Sequence, residues 1–352
     1  MSKVTIAVDL AKDVFEIAVA LPSGKIIERK RLTRAQFERF WQTKEPCSVV
    51  MEACGSAHHW ARMLLGLGFE VRLLPAHYVK SYRQRNKTDR ADCEALLEAA
   101  RSPRIKPVAI KSEEQQAILA LHRVREQWKG TRTMRINGMR GLLREFGITA
   151  PKGANSFLAR LPQILQAKRG QLPERVRRLI LGYWTEAEEL ERRMQQVEDE
   201  LTGVAQENAV ICSLLAISGI GVITATALYA SIGNIHLFAS GRHLASWLGI
   251  TPRESSSGGK RRLGRISKQG DPYLRTLLIH GARAALTAAQ NRRTSGKPLT
   301  RLQEWAVGKA GTLRHSNQAA VGLANKLARI AWAIWKHERH FDGNHVSQLA
   351  AA

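Results

Sequence analysis

The sequence predicts an α/β domain at the N-terminus, a helical coiled-coil segment after it and a mostly α domain at the C-terminus. Three observations lead there. Segments in the first hundred residues follow the order β-β-β-α-β-α-β-α. Apolar residues over 176–204 step by four and three without a break. From residue 209 the chain is rich in Ala, Gly and Leu at helical spacing. The expected divisions are 1–155, 156–208 and 209–342, with a tail at 343–352, since 352 residues suit two or three domains better than one.

Residues 3–9, KVTIAVD, alternate and then run apolar, as a strand buried in a sheet does. VFEIAVA at 14–20 is a second strand, Leu21-Pro22-Ser23-Gly24 is a turn signal, and KIIERKRL at 25–32 closes a hairpin meander. A helix is expected from Arg34 to Thr43, and a short strand ending in a carboxylate over CSVVME at 47–52. A helix from Ala57 to Leu67 and a strand over EVRLL at 70–74 follow. Asp89 to Arg101 carries Ala91, Leu96, Leu97 and Ala100 at helical spacing. Three antiparallel strands, then strands reached through helices, is the order of a ribonuclease-H-like domain.

Ser112 and Gln115 fit a capping box that opens a long helix, and Gly147 and Pro151 end it. The helix carries Arg123, Arg125, Lys129, Arg132, Arg135, Arg140 and Arg144, either a solvated basic face or a surface for nucleic acid. Beyond it, Val176, Ile180, Tyr183, Ala187, Leu190, Met194, Val197, Leu201 and Val204 form an a/d seam flanked by Glu186, Glu188, Glu189, Glu191, Arg192 and Arg193. So strict a 3.5 period predicts a coiled coil between subunits or against another long helix. Residues 294–300, TSGKPLT, read as an exposed loop, and the tail after His340 as disordered.

Lys and Arg number 55 against 30 Asp and Glu, a formal net charge of +25. Positions 241–340 alone hold 19 Lys or Arg and four acids. A surplus of that size opposes compactness unless a polyanion neutralises it, and nucleic acid is the default polyanion. No apolar run approaches 18 residues and no signal-peptide pattern is present, which sets a membrane surface aside. Cys47, Cys54, Cys93 and Cys212 form no C-x-x-C pair, so neither zinc ribbon nor redox motif is suggested; buried, reduced thiols are expected.

Metal-assisted phosphodiester cleavage needs several carboxylates around Mg²⁺ or Mn²⁺, hard cations that prefer oxygen ligands. Asp9 and Glu52 end two of the predicted strands, whose ends can lie side by side in a ribonuclease-H-like sheet. Asp89 and Asp92 stand three apart at the start of a helix and share a face. Singly, each reads equally well as a turn former or as a helix-terminal charge.

AVDLAK at 7–12, MEACG at 51–55 and NKTDRAD at 86–92 resemble the three signature blocks of the bridge-RNA-guided DEDD transposases of insertion-sequence family 110, with its 1111 subgroup. LLAISGIG at 214–221 and SWLGITPRESSSGGKRRLGRISKQGD at 246–271 are similar to that family's second conserved region, so the likeness spans nearly the whole chain. It implies a RuvC-like N-terminal domain whose metal-binding, catalytic tetrad is Asp9, Glu52, Asp89 and Asp92, with Mg²⁺ or Mn²⁺ as cofactor. It also implies a serine nucleophile in the C-terminal transposase domain, linked covalently to DNA. Ser255, Ser256 and Ser257 are available, and Ser256 falls best when counted back from Arg265-Ile266-Ser267-Lys268. The implied partners are donor and target DNA, a noncoding bridge RNA and further copies of the chain, as a dimer or tetramer. The implied place of work is the bacterial cytoplasm, at the nucleoid.

A serine hydroxyl is a weak nucleophile until a base or a metal activates it. Arg253, Lys260, Arg261, Arg262, Arg265 and Lys268 surround the candidates, and such cations match phosphate oxygens. Gly258 and Gly259 would let backbone approach DNA, or mark a flexible linker. Ile217-Ser218-Gly219-Ile220-Gly221 reads as a helix-hairpin-helix turn whose N–H groups, at Gly219 and Gly221, hold a phosphate, or as a plain turn. Trp247 and Trp305 are candidates for stacking on bases, whereas Trp332 and Trp335 sit in an apolar helix and suit a core. The alternatives to a recombinase are a RuvC-like structure-specific endonuclease of Holliday-junction-resolvase type, using the tetrad alone, and a binder without catalysis.

Overall fold

Residues 4–83, 89–313 and 315–345 are described by the computed structural model, with Asp89 described as backbone only. The chain divides into two compact units, Met1–Gln116 with Ile232–Leu237, and Ala117–Ser231 with Phe238–Ala352. That division falls at residue 116, inside a long helix.

The first unit is built on β1 (Thr5–Leu10), β2 (Val14–Ala20), β3 (Ile26–Thr33), α1 (Arg34–Gln42), β4 (Ser48–Glu52), α2 (Ala57–Gly66), β5 (Glu70–Leu74), α3 (Ala76–Val79) and α4 (Asp89–Arg101). Its sheet runs β3-β2-β1-β4-β5, with β1, β2 and β3 antiparallel and β4 and β5 parallel to β1. The inner strands are apolar on both sides because both faces are covered. On one face Phe15 stacks on Phe37 at 4.4 Å, and Trp60 of α2 meets both rings edge-on. On the other face small residues, Ala7, Ala18 and Ala20, leave room for α4 to seat Cys93 and Leu96 against the sheet.

The second unit contains all but the first turn of α5 (Glu113–Glu145), α6 (Ala154–Ala167), α7 (Glu174–Glu207), α8 (Ala209–Leu215), all but the last residue of α9 (Val222–Ile232), α10 (Gly241–Trp247), β6 (Pro252–Glu254), β7 (Leu263–Ile266), α11 (Pro272–Thr294), α12 (Arg301–Thr312) and α13 (Ser316–His337). α5 and α7 run antiparallel. Arg125 pairs with Glu198, Arg132 with Glu191 and Arg135 with Glu186, so position rises on one helix as it falls on the other. The seam of α7 is used within the chain. Ile180 and Ala187 share a core with Ile136, Met139 and Leu143 of α5 and with Phe157, Leu161 and Leu165 of α6. Val197 and Leu201 join Ile118 and Ala230 in a second core.

Several expectations are corrected here. Three of the seven basic residues singled out on α5, Arg125, Arg132 and Arg135, pair with acids of α7, and Arg140 donates to the carbonyls of Pro151, Lys152 and Gly153. Arg123, Lys129 and Arg144 stay exposed, so only part of the expected basic face is taken up within the chain. Within the mostly α C-terminal part, serine-rich 252–266 is a β-hairpin: β6 and β7 pair antiparallel, Lys260 N donates to Ser257 O at 3.1 Å, and Gly258 and Gly259 both have positive φ. Two central residues with φ above zero make a type I′ turn, which the right-handed twist of the strands favours and which glycine adopts without strain. Of the tail expected to be disordered, residues 341–345 fold back onto α12, and 346–352 lie outside the described residues. Gly343 O accepts from Leu302 N at 3.0 Å, and Asn344 Oδ1 from Arg301 N at 3.1 Å, satisfying free N–H groups in the first turn of α12. Of the cysteines, Cys47 and Cys93 are buried, but Cys54 is half-buried and Cys212 exposed; none is in a disulfide.

Among the described residues no helix is long and apolar enough to cross a membrane.

Candidate active site

Three of the four carboxylates named from sequence, Asp9, Glu52 and Asp92, fall on one face of the sheet. Ala7, Ala18 and Val50 face α4. Side chains alternate along a strand, so Asp9, Glu16 and Glu52, each two residues from one of these, face α4 as well. Asp9 pairs with Glu16 across β1 and β2. One residue past the Val8–Met51 pair, β1 and β4 bring Asp9 and Glu52 to neighbouring positions. α4 crosses this face and adds Asp92, one turn before Leu96 in the α4 core. Asp89 begins α4, and its side chain lies outside the described residues.

Two residues of this face were missed from sequence. Glu16 is buried, with Arg90 Nε 4.0 Å from its Oε1. The available signal was a single acid in an otherwise apolar strand. Arg83 contacts two of the named acids: its Nη2 is 3.9 Å from Glu52 Oε2, and its Nε is 2.5 Å from Asp92 Oδ1. Close as they are, Arg83 Nε and Asp92 Oδ1 are buried and have no aligned hydrogen-bond partner. This is contact by charge without directional bonding. No sequence pattern marks Arg83.

Beside the carboxylates, the Cys93 Sγ donates to Glu16 O at 3.4 Å, and burial pushes its thiol pKa up to about 12. Cys93 is therefore a packed thiol without nucleophilic character.

The donor set suits a hard divalent cation. Carboxylate oxygens make up the face, and Asp92 Oδ1 is a buried acceptor that still lacks a directional donor. Among the described residues no three His, Cys, Asp or Glu side chains stand close enough to enclose a metal ion. Arg83 lies against two of the acids that such a site would use.

The serine candidates belong to the second unit, on the hairpin. Ser256 Oγ donates to Glu254 Oε1 at 2.8 Å and accepts from Arg262 N at 3.2 Å; Arg261 Nε lies 3.4 Å from the same Glu254 oxygen. Ser255 lines a concavity of about 460 Å³ with Arg253, Arg262, Arg265 and Lys268. Alternation along the hairpin thus gives Ser256 a carboxylate neighbour and Ser255 a cationic one. Ser257 opens the glycine turn opposite Lys260. Arg253 is also tied inward, donating through Nε and Nη2 to Ser267 O at 3.2 and 3.0 Å.

The glycine turn between α8 and α9 is fixed by packing. Gly219 has φ +96°, and a Cβ on Gly281 of α11 would stand 1.9 Å from Gly219 O. That contact accounts for the glycine at 281, while the positive φ and a Cβ that would stand 2.9 Å from Gly281 O account for the glycine at 219 without a phosphate; Gly221 is exposed just before α9. Trp332 donates through Nε1 to Phe238 O at 3.1 Å, and Trp335 lies beside Tyr229 with ring centroids 5.9 Å apart. Lys326 sits 4.2 Å above the ring of Trp305, and Trp247 is 38% exposed.

Comparison with known proteins gives a consistent result. Residues 213–296 match the Transposase IS116/IS110/IS902 family, and residues 6–148 match a DEDD transposase family of the IS110 type. A "probable family 20 transposase" of Pseudomonas aeruginosa is 42% identical over 334 residues, 95% of this chain and 97% of the relative. The transposase for insertion sequence element IS1111A of Coxiella burnetii is 40% identical, over 94% of this chain and 88% of the relative. The transposase for IS1328 of Yersinia enterocolitica is 38% identical, over 94% and 96%.

Proposed function

We propose, from the premise that this chain belongs to the IS110 family of transposases and is a DNA transposase, that its sheet face cuts DNA with a divalent metal and that a hairpin serine carries the cut strand. The carrying observation is that Asp9, Glu52 and Asp92 share one face of the sheet beneath α4. The strand order β3-β2-β1-β4-β5 supports the ribonuclease-H-like, RuvC-like reading of that unit.

Asp9, Glu52, Asp89 and Asp92 would hold Mg²⁺ or Mn²⁺. Such an ion, when bound, supplies Lewis-acid polarisation of phosphodiester oxygens. Ser256 is the proposed nucleophile: its Oγ–P bond forms as the P–O3′ bond breaks, and its proton ends on the released 3′ oxygen. Glu254, which accepts the Ser256 hydrogen bond, supports this choice as the base that draws off the proton. Lys260, Arg261, Arg262, Arg265 and Lys268 supply phosphate-matching charge along the hairpin, with Arg253 at its root. Strand exchange follows when a second 3′ hydroxyl attacks the phosphoserine and regenerates Ser256.

Donor and target DNA are the substrates, and an element-encoded bridge RNA is the proposed guide. The charge of +25 supports a large nucleic-acid footprint. Working copies are proposed to be dimers or tetramers; with the α7 seam packed inside the chain, their interface lies elsewhere. The bacterial nucleoid is the proposed place of action.

Two measurements test this. Sequencing the nucleic acid that co-purifies should return one discrete element-encoded RNA; random cellular fragments would remove the guide from the proposal. Denaturing gels of reactions with labelled DNA should show a protein–DNA adduct that Ser256→Ala abolishes and Ser255→Ala or Ser257→Ala retains. Cutting without any adduct would favour the resolvase-like endonuclease instead.

A further inference from the structure

Arg83 follows the short 3₁₀ turn at Lys80–Tyr82 and directs its guanidinium at the carboxylate face. It reaches Glu52 and Asp92 together, at 3.9 and 2.5 Å. Its side chain keeps 22% of its surface, Asp92 keeps 13% and Glu52 29%, so the charges meet with little water between them. At the shorter contact neither atom is aligned for a hydrogen bond. The single guanidinium offsets part of the charge of the two acids.

Two carboxylates in one partly buried place need positive charge, and a guanidinium and a divalent cation offer it to the same oxygens. They cannot both take those oxygens at full strength. A metal needs Asp92 Oδ1 at about 2 Å, where the Arg83 Nε contact at 2.5 Å now stands in its way.

We propose that Arg83 competes with the divalent metal for Glu52 and Asp92, acting as a tethered counter-cation that the metal must displace. The proposal rests on the reading of these acids as metal ligands. Arg83 is thus a positioning residue that sets how tightly the cofactor loads, distinct from the acids that hold it. The arrangement offsets part of the acids' charge and holds them close together, at the expense of metal affinity.

The test is Mn²⁺ binding by the full-length protein freed of nucleic acid, followed by electron paramagnetic resonance of the unbound ion. Arg83→Gln keeps a polar side chain of similar reach, and Arg83→Ala removes it altogether. Both should lower the Mn²⁺ dissociation constant by about tenfold or more relative to the unaltered chain. Mn²⁺ should then raise the thermal midpoint of the variants further than that of the parent. Asp92→Asn is the control and should lose the site. Equal or weaker Mn²⁺ binding in both Arg83 variants, with Asp92→Asn still defective, overturns the competition and leaves the metal-ligand reading standing. Mn²⁺ binding that Asp92→Asn leaves intact overturns both. Folding is read independently from circular dichroism, so a collapsed Arg83→Ala leaves Arg83→Gln to decide.

Discussion

Asp92 keeps only 13% of its surface, and a carboxylate that deep is stable only beside positive charge. Its position three residues after Asp89 was legible because helix spacing is a local property. So were Asp9 and Glu52, which end apolar strands. Glu16 left a signal that was not read, a lone acid in an apolar strand that cross-strand register brings to the face, whereas Arg83 left none. A second buried group makes a pH prediction. His122 sits between Tyr273 Oη at 2.9 Å and Thr226 Oγ1 at 3.0 Å. Thr226 donates to Val222 O at 2.7 Å, so its oxygen is free to accept from His122 Nε2 while Tyr273 donates to Nδ1. Burial, helped by Arg125, lowers the His122 pKa to about 4. The folded value lies below the ordinary one, so the unfolded chain takes up the proton first. The stabilisation is complete above about pH 6.5 and is lost as pH falls toward 4, by up to about 3 kcal/mol. Thermal midpoints across that range should fall more steeply in the parent than in His122→Asn; parallel curves would contradict this role. Thiol reactivity separates two other residues. Iodoacetamide at pH 8 should label exposed Cys212 in the native protein and spare Cys93 until denaturation, as read by mass spectrometry.

The α5–α7 pair shows how a correct period can leave a partner undecided. The heptad spacing of α7 was plain, but spacing states only that an apolar stripe exists and not what covers it. The ion pairs to α5 reveal the partner, because their register is antiparallel within one chain. Apolar burial holds the pair together, and the ion pairs specify its register. Ile180→Ala or Leu201→Ala, both fully buried, should cost about 2–5 kcal/mol. Arg132→Ala should cost about 1 kcal/mol or less, since Glu191 is 58% exposed. Denaturant titration separates these, and similar losses in both would reverse the assignment. The hairpin at 252–266 was hidden for a different reason. It is short, polar and exposed, so it has no apolar alternation to mark its strands. Its one signal was Gly258-Gly259, which reads equally as a linker until the strands on either side are seen to pair.

At the scale of the whole molecule, the strand order was legible because β1, β2 and β3 meet through short turns and the later strands through helices, which leaves few topologies. The surplus of positive charge was legible too, but its distribution was not. Arg125, Arg132 and Arg135 serve the chain's own acids, so residue type alone overstated the surface open to nucleic acid. What remains outward includes the hairpin cations, and binding should weaken steeply with salt. Replacing Arg261 and Arg265 with Gln should lower the slope of log affinity against log salt by about 2. An unchanged slope would remove the hairpin from the interface. The most direct measurement of the cleavage chemistry is strand cutting of DNA carrying the element's ends, with DNA retention recorded in the same samples. The parent chain should cut with Mg²⁺ or Mn²⁺ and stop with chelator, while Asp9→Asn and Asp92→Asn retain DNA and lose cutting by at least about a hundredfold. Cutting by either variant at the parent's rate, or cutting that persists in chelator, would contradict a metal-loaded carboxylate face.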